Sequence, residues 1–124
     1  MDAKQVGERL VELCRQGRNF EALDSLYSDD IVSIEAAENP NFGAEMRGKE
    51  AVRQKNQWWF DNNEIHSAEV EGPFAHNDRF AVKYHFDFTR KAEPMKGQRV
   101  DFHEVAVYTV RNGQIVREEF FYNM

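Results

Sequence analysis

The chain has 124 residues and a formal net charge of −6, from 16 Lys and Arg against 22 Asp and Glu. That length fits one domain, residues 1–124, able to close a core without disulfide or metal staples. The acidic balance argues against nucleic acid and anionic membrane as main partners. The chain holds ten Phe, four Tyr and two Trp, a content that separates it from disordered sequences.

Cys14 is the only cysteine. An intrachain disulfide and a cysteine zinc site are therefore excluded, and Cys14 reads as a small buried helix residue. No apolar run is long enough to span a membrane as a helix. Met1-Asp2-Ala3-Lys4 lacks the basic-then-apolar profile of a signal peptide, so the expected location is cytoplasmic.

Val6, Leu10, Leu13 and Cys14 recur at helical spacing and predict an amphipathic helix over about 3–16, stopped at Gly17. Asn19 is placed to cap a second helix with Phe20, Leu23, Leu26 and Tyr27 on its apolar side, ending near Ser28-Asp29-Asp30. The β-branched run Ile31 to Ala36 predicts a strand. Asn39-Pro40-Asn41 and Gly43 mark a loop. After Gly48, Ala51, Val52, Trp58 and Trp59 form one stripe of a third helix over roughly 49–62.

The remainder reads as strand. Glu64 to Glu71 is one, broken at Gly72-Pro73, with a turn at His76-Asn77-Asp78. Phe80, Val82, Tyr84, Phe86 and Phe88 alternate with Ala81, Lys83, His85, Asp87 and Thr89, a clear period of two. Gln98 to Val110 and Ile115 to Tyr122 follow, joined by an Asn112-Gly113 hairpin turn. Helices first and a long meander after them give an α+β fold with helices on one face of the sheet.

A hairpin centred on Pro94 opposes Phe80 with Tyr108, Val82 with Ala106, Tyr84 with Glu104, Phe86 with Phe102 and Phe88 with Val100. The other face pairs Lys83 with Val105, His85 with His103 and Asp87 with Asp101. Two Asp directly opposite are unfavourable, which allows a slip of two near the loop without changing the faces. The first face is the hydrophobic one, and Glu104 is its discordant residue. A carboxylate there needs a partner or a raised pKa.

Three segments carry a family resemblance: Phe20 to Asp30, ending Leu26-Tyr27-Ser28-Asp29-Asp30; Gly48-Lys49-Glu50-Ala51-Val52-Arg53; and Val110-Arg111-Asn112-Gly113-Gln114-Ile115-Val116. They resemble the nuclear-transport-factor-2-like superfamily. That superfamily holds ketosteroid isomerase, scytalone dehydratase, limonene epoxide hydrolase and the SnoaL-like polyketide cyclases. The resemblance implies three helices packed on a strongly curved, mostly antiparallel sheet, a cystatin-like α+β barrel. These segments mark fold far more than reaction.

Carried over residue by residue, the general-base Asp of ketosteroid isomerase falls on Glu35. Its oxyanion-hole Tyr falls on Val11, which cannot donate. Its oxyanion-hole Asp falls on or beside Ala106, two residues from Glu104. The same alignment turns Glu118, Phe120 and Tyr122 inward and Arg117, Glu119 and Phe121 outward.

The expected interior holds Phe80, Val82, Tyr84, Phe86, Phe102, Ala106, Tyr108, Phe120 and Tyr122, with Trp58 or Trp59 from the third helix. Glu35, Glu104 and Glu118 sit among them. Carboxylates in a dry pocket can differ in protonation, which is what acid–base chemistry near neutral pH requires. The candidate roles are Glu35 as base, Glu104 as acid or orienter, and Tyr84 or Tyr108 as oxyanion donor. The substrate expected is a hydrophobic small molecule, handled without a cofactor by an isomerase, lyase or cyclase.

Bland alternatives stand beside each role. Glu35 can be an exposed strand end, Glu104 can accept the Tyr84 hydroxyl, and Glu118 can point out from a bulge. A non-catalytic binding protein is the second function class.

Among the histidines only His85 and His103 meet, and two without a third ligand make a weak metal site, so no metal is expected. SnoaL-like cyclases use a late-strand His and Asp, a pairing His103 and Glu118 would match only with a shifted register. Val105, Val107 and Phe121 on the outer face suit a homodimer. Arg90, Lys91, Lys96 and Arg99 read as a solvated hairpin tip.

Overall fold

The structure is a computed structural model that describes residues 1–39 and 42–123. Helix α1 spans Ala3–Arg15. Asp2 caps it by accepting from the Gln5 backbone at 2.9 Å, and the Gln5 side chain accepts from the Asp2 N–H in return. Its buried stripe is Ala3, Val6, Leu10, Val11 and Leu13.

Helix α2 covers Asn19–Leu26. Asn19 is its first helical residue and not its cap. The cap position is Arg18, which makes no side-chain cap bond. The Asn19 amide turns instead to the Cys14 sulfur at 3.7 Å. Strand β1 (Tyr27–Asn39) begins directly after the helix, so Ser28-Asp29-Asp30 is strand and not a helix end.

Strand β2 (Gly43–Arg47) lies where a loop was expected. Only Met46 of it is buried, so its own pattern is weak, and pairing of Val32 with Arg47 and Ile34 with Glu45 on β1 creates it. Pro40 and Asn41 of the expected loop lie outside the described residues. Helix α3 (Lys49–Asn62) has the expected bounds. Of its expected stripe only Val52 is fully buried; Ala51, Trp58 and Trp59 are half-buried.

Four strands complete the chain: β3 (Asn63–His76), β4 (Arg79–Arg90), β5 (Arg99–Arg111) and β6 (Gln114–Phe121). The expected break at Gly72-Pro73 is a register shift inside β3, not an end. Asn112 and Gly113, at φ 52° and 75°, supply the left-handed pair of the β5–β6 turn.

The sheet order is β2-β1-β6-β5-β4-β3. Neighbours are antiparallel except β1 and β6, which run parallel. The order ends at β2 and β3 without closing, so the expected barrel is an open sheet with helices on one face.

The β4–β5 register pairs Phe80 with Tyr108, Val82 with Ala106, Tyr84 with Glu104 and Phe86 with Phe102. Asp87 stands opposite Asp101 with no slip. Each carboxylate has its own cation or ring nitrogen. Arg99 donates to both Asp87 oxygens at 2.9 and 2.7 Å, and Asp101 meets His85.

Phe80, Val82 and Ala106 are buried core, not cavity lining. They lie where α1 settles onto the sheet, and Phe80 stacks on Tyr108 at 4.8 Å. The close approach depends on Gly7, whose absent Cβ would stand 2.7 Å from the Pro73 Cβ and 3.0 Å from the Phe80 ring. In an ordinary helix Gly to Ala stabilises by about 0.5–1 kcal/mol. Here Gly7→Ala is expected to lose about 1–3 kcal/mol by overpacking, read as a lowered urea midpoint.

Candidate functional site

From Leu10 and Cys14 at the later turns of α1, a cavity of about 540 Å³ opens between the helices and the inner face. It is lined by Glu35, Tyr84, Glu104 and Glu118 together with Trp58, Trp59, Phe86, Phe102, Tyr108, Phe120 and Tyr122. Trp59 is its aromatic hinge, with ring centroids 5.3 Å from Phe60, Phe86 and Phe88. Phe102 packs edge-on to Tyr122 at 5.1 Å.

Alternation along β1 turns Ile31, Ser33 and Glu35 inward, and parallel pairing sets Ser33 beside Glu118 of β6. Glu118 is fully enclosed. It accepts from the Tyr27 hydroxyl at 2.5 Å and the Ser33 hydroxyl at 2.9 Å. The bulge after the Asn112-Gly113 turn is present, between Ile115 and Arg117, but beyond it Glu118 stands opposite Tyr108 and faces inward, not outward.

Lys55 of α3 reaches into the same place. Its Nζ donates to Ser33 Oγ at 2.9 Å and to Glu35 Oε1 at 2.8 Å, and lies 3.8 Å from Glu118 Oε1. The Phe120 ring centroid is 4.7 Å from the ammonium. Tyr122 donates to the second Glu35 oxygen at 2.9 Å. The Lys55, Glu35 and Glu118 side chains are only 11%, 17% and 2% exposed. Glu35 is therefore a half-buried member of a network, not a free strand end.

Sequence reasoning missed Lys55. The signal was there: it lies three residues after Val52 and four before Trp59, on the apolar stripe of the helix. A cation on that stripe needs an interior anion.

Glu104 makes no hydrogen bond or ion pair among the described residues. Its neighbour across the strands, Tyr84, bonds Tyr108 at 2.6 Å instead. Burial pushes the Glu104 carboxyl from 4.5 up to about 8; the Glu35 and Glu118 charges add to the rise and Lys55 opposes it. Burial also holds the Tyr27, Tyr84 and Tyr108 phenols well above 10, so all three stay protonated donors. One proton of the Tyr84–Tyr108 pair joins the two oxygens, which leaves the other for a third oxygen. Desolvation lifts the Cys14 thiol to about 11, so it is no thiolate nucleophile at neutral pH.

Of the isomerase pattern, Val11 is buried core without a donor and Ala106 carries no polar group. His103 stacks on His85 on the outer face, opposite in direction to Glu118, so those two do not meet. If the ammonium holds the network, Lys55→Met leaves Glu118 and Glu35 buried without their cation. It is expected to cost about 3 kcal/mol in urea unfolding, and adding Glu118→Gln should recover part of that loss.

The comparisons follow this geometry. A family model for the SnoaL-like domain matches residues 1–122. A Mesorhizobium loti protein named for SnoaL-like polyketide cyclases shares 45% identity over 98% of this chain and 100% of its own, with a TM-score of 0.90. A similarly named protein from Jannaschia sp. CCS1 shares 16% identity over 98% and 88%, at TM-score 0.76. A Catenulispora acidiphila protein with a ketosteroid isomerase-like fold, in complex with trimethylamine, shares 18% over 90% and 81%, at 0.69. No curated protein matches the sequence. No helix among the described residues is long and apolar enough to cross a membrane. The chain belongs to the SnoaL-like domain family.

Proposed function

We propose that this protein is a cofactor-free acid–base catalyst of the isomerase, lyase or cyclase type, acting on a hydrophobic small molecule with a carbonyl group. One observation carries the reading. An unpaired carboxyl, Glu104, shares an aromatic cavity with Glu35, a carboxylate fixed at both oxygens. A carboxyl with its pKa near 8 is mostly protonated at pH 7 and can donate where oxyanion charge develops.

Glu35 takes a proton from the carbon beside the carbonyl. The C–H electron pair becomes the new C=C bond, and the carbonyl π pair moves to oxygen. Glu104 donates its proton, or a strong hydrogen bond, to that oxygen. Delivery of the Glu35 proton to another carbon of the conjugated enol, with the O–H proton returning to Glu104 as the C=O re-forms, completes an isomerisation. Attack of the enolate carbon on a second carbonyl closes a ring, and the alkoxide so formed takes the proton held by Glu35. Lys55 and Tyr122 hold Glu35 in orientation. Glu118, saturated by Tyr27 and Ser33, acts as a positioning residue behind Lys55. The Tyr84–Tyr108 pair offers a further donor to the oxyanion. Trp58, Trp59, Phe86, Phe102 and Phe120 give the apolar walls that hold the substrate.

A binding role is the second reading, favoured by the pairing of every oxygen of Glu35 and Glu118 within the protein. Glu104, a carboxyl in the aromatic cavity left without a partner among the described residues, would then suit an organic amine, the class bound by the similarly folded Catenulispora protein. For either reading we place the protein in the cytoplasm, where one unpaired cysteine is at ease. A second copy would sit on the outer face, where Val105 and Phe121 are exposed.

Deuterium exchange of α-protons, followed by NMR over a panel of apolar ketones and β-dicarbonyl compounds, tests the enzyme reading. Catalysed exchange is expected, with Glu35→Gln and Glu104→Gln each slowing it by about 100-fold or more. The protonated Glu104 is the active acid, so kcat/KM should fall about tenfold per pH unit above about 8, and Glu104→Gln should abolish that alkaline limb. Shifts of the Trp58 and Trp59 indoles without any exchange would instead favour the binder.

A further inference from the structure

We propose that His85, Asp101 and His103 form a surface site for one divalent first-row transition metal ion on the outer face of the sheet, remote from the cavity chemistry. The placement follows from register. Glu69 on β3 opposes His85 on β4, and His85 opposes His103 on β5. Three side chains thus stand in one row across three strands. Asp101 lies two residues from His103 on the same strand and so on the same face.

The ligand atoms already converge. The two imidazoles stack with centroids 3.9 Å apart and planes 13° from parallel. His85 Nε2 meets Asp101 Oδ1, and His103 Nε2 lies 3.5 Å from Asp101 Oδ2. One ligand atom from each of the three residues falls within 4.8 Å of the other two. A four-coordinate ion with bonds near ~2.1 Å spaces its ligands about 3.4 Å apart. Small rotations of three accessible side chains close that gap, because the paired strands fix their backbones.

A supporting contact is also in place. The other His85 nitrogen, Nδ1, lies 3.2 Å from the Glu69 carboxylate. Metal-bound histidines habitually make this bond with the nitrogen that does not hold the ion, which fixes the ring's direction. In the single chain the side chains of His85, Asp101 and His103 are 30%, 69% and 50% exposed, so an ion reaches them there and water can complete its shell. Two imidazoles and one carboxylate suit zinc, nickel or copper over magnesium or calcium.

The test is calorimetric titration of the full chain with zinc chloride at pH 7.5, with histidine ring signals followed by NMR in parallel. One equivalent is expected to bind and to shift the His85 and His103 rings while leaving His66 and His76 in place. Asp101→Asn and His103→Ala should each weaken binding at least about tenfold, and Glu69→Gln by about tenfold. All three positions are at the surface, so unchanged thermal melting separates lost ligation from lost folding. Phe121→Glu, which would break pairing through the outer face, should leave zinc affinity unchanged and so show that one chain suffices. Magnesium should not bind. Absence of zinc binding overturns the proposal. So does binding that His103→Ala leaves intact, that shifts His66 or His76 instead, or that Phe121→Glu abolishes.

Discussion

One buried lysine ties the polar side of the interior together. Lys55 is within hydrogen-bond reach of Glu35 and Ser33 and lies 3.8 Å from Glu118. Carboxylates leave water at a cost of several kcal/mol each unless a cation or donors compensate them. Lys55 compensates Glu35 and Glu118 together, helped by Tyr122, Tyr27 and Ser33. Nothing of that kind remains for Glu104. Its carboxyl stays neutral to about pH 8 because burial is the first cause and two nearby anions are the next. The asymmetry between a paired Glu35 and a neutral Glu104 follows from burial at Glu104 without a bonded partner among the described residues, while Lys55 and Tyr122 bond Glu35.

The fold makes room for this arrangement by an uneven covering of one sheet face. Helix α1 lies close over Phe80, Val82, Ala106 and Tyr108 because Gly7 has no side chain to hold it away. Farther along the same strands, Tyr84, Phe86, Phe102 and Glu104 meet the cavity. Helix α3 closes that end with Trp59 and delivers Lys55 from its inner stripe. The parallel junction of β1 and β6 brings Ser33 and Glu118 side by side, two residues far apart in the chain. The aromatic excess is therefore divided: part is packed core and part is the wall of an open pocket.

Much of this was legible before any coordinates. Alternation in Phe80 to Phe88 and in Val100 to Tyr108 gave the face, the register and the inward direction of Glu104. Parity does not say how much of that face a helix covers, so it puts Phe80, Val82 and Ala106 in the lining when they are core. Lys55 reads as surface by residue type alone, and only its place on the stripe of Val52 and Trp59 marks it as inward. Strand β2 was invisible because its partner creates it and its own side chains alternate poorly. The Asp87–Asp101 pair pointed to a slip; Arg99 and His85, which remove the repulsion, come from the diagonal positions that a pairwise count ignores.

The claim on which the rest turns is that Glu104 is a neutral acid at pH 7 while standing inside the cavity. Carbon-13 NMR of the glutamate side-chain carboxyls, titrated from pH 4 to 10 and assigned by comparison with Glu104→Gln, measures it directly. The account predicts one Glu104-dependent carboxyl titrating near 8. A Glu104 midpoint near the ordinary 4.5 would mean a wet or newly paired carboxylate, and the acid–base reading of the cavity would lose its acid.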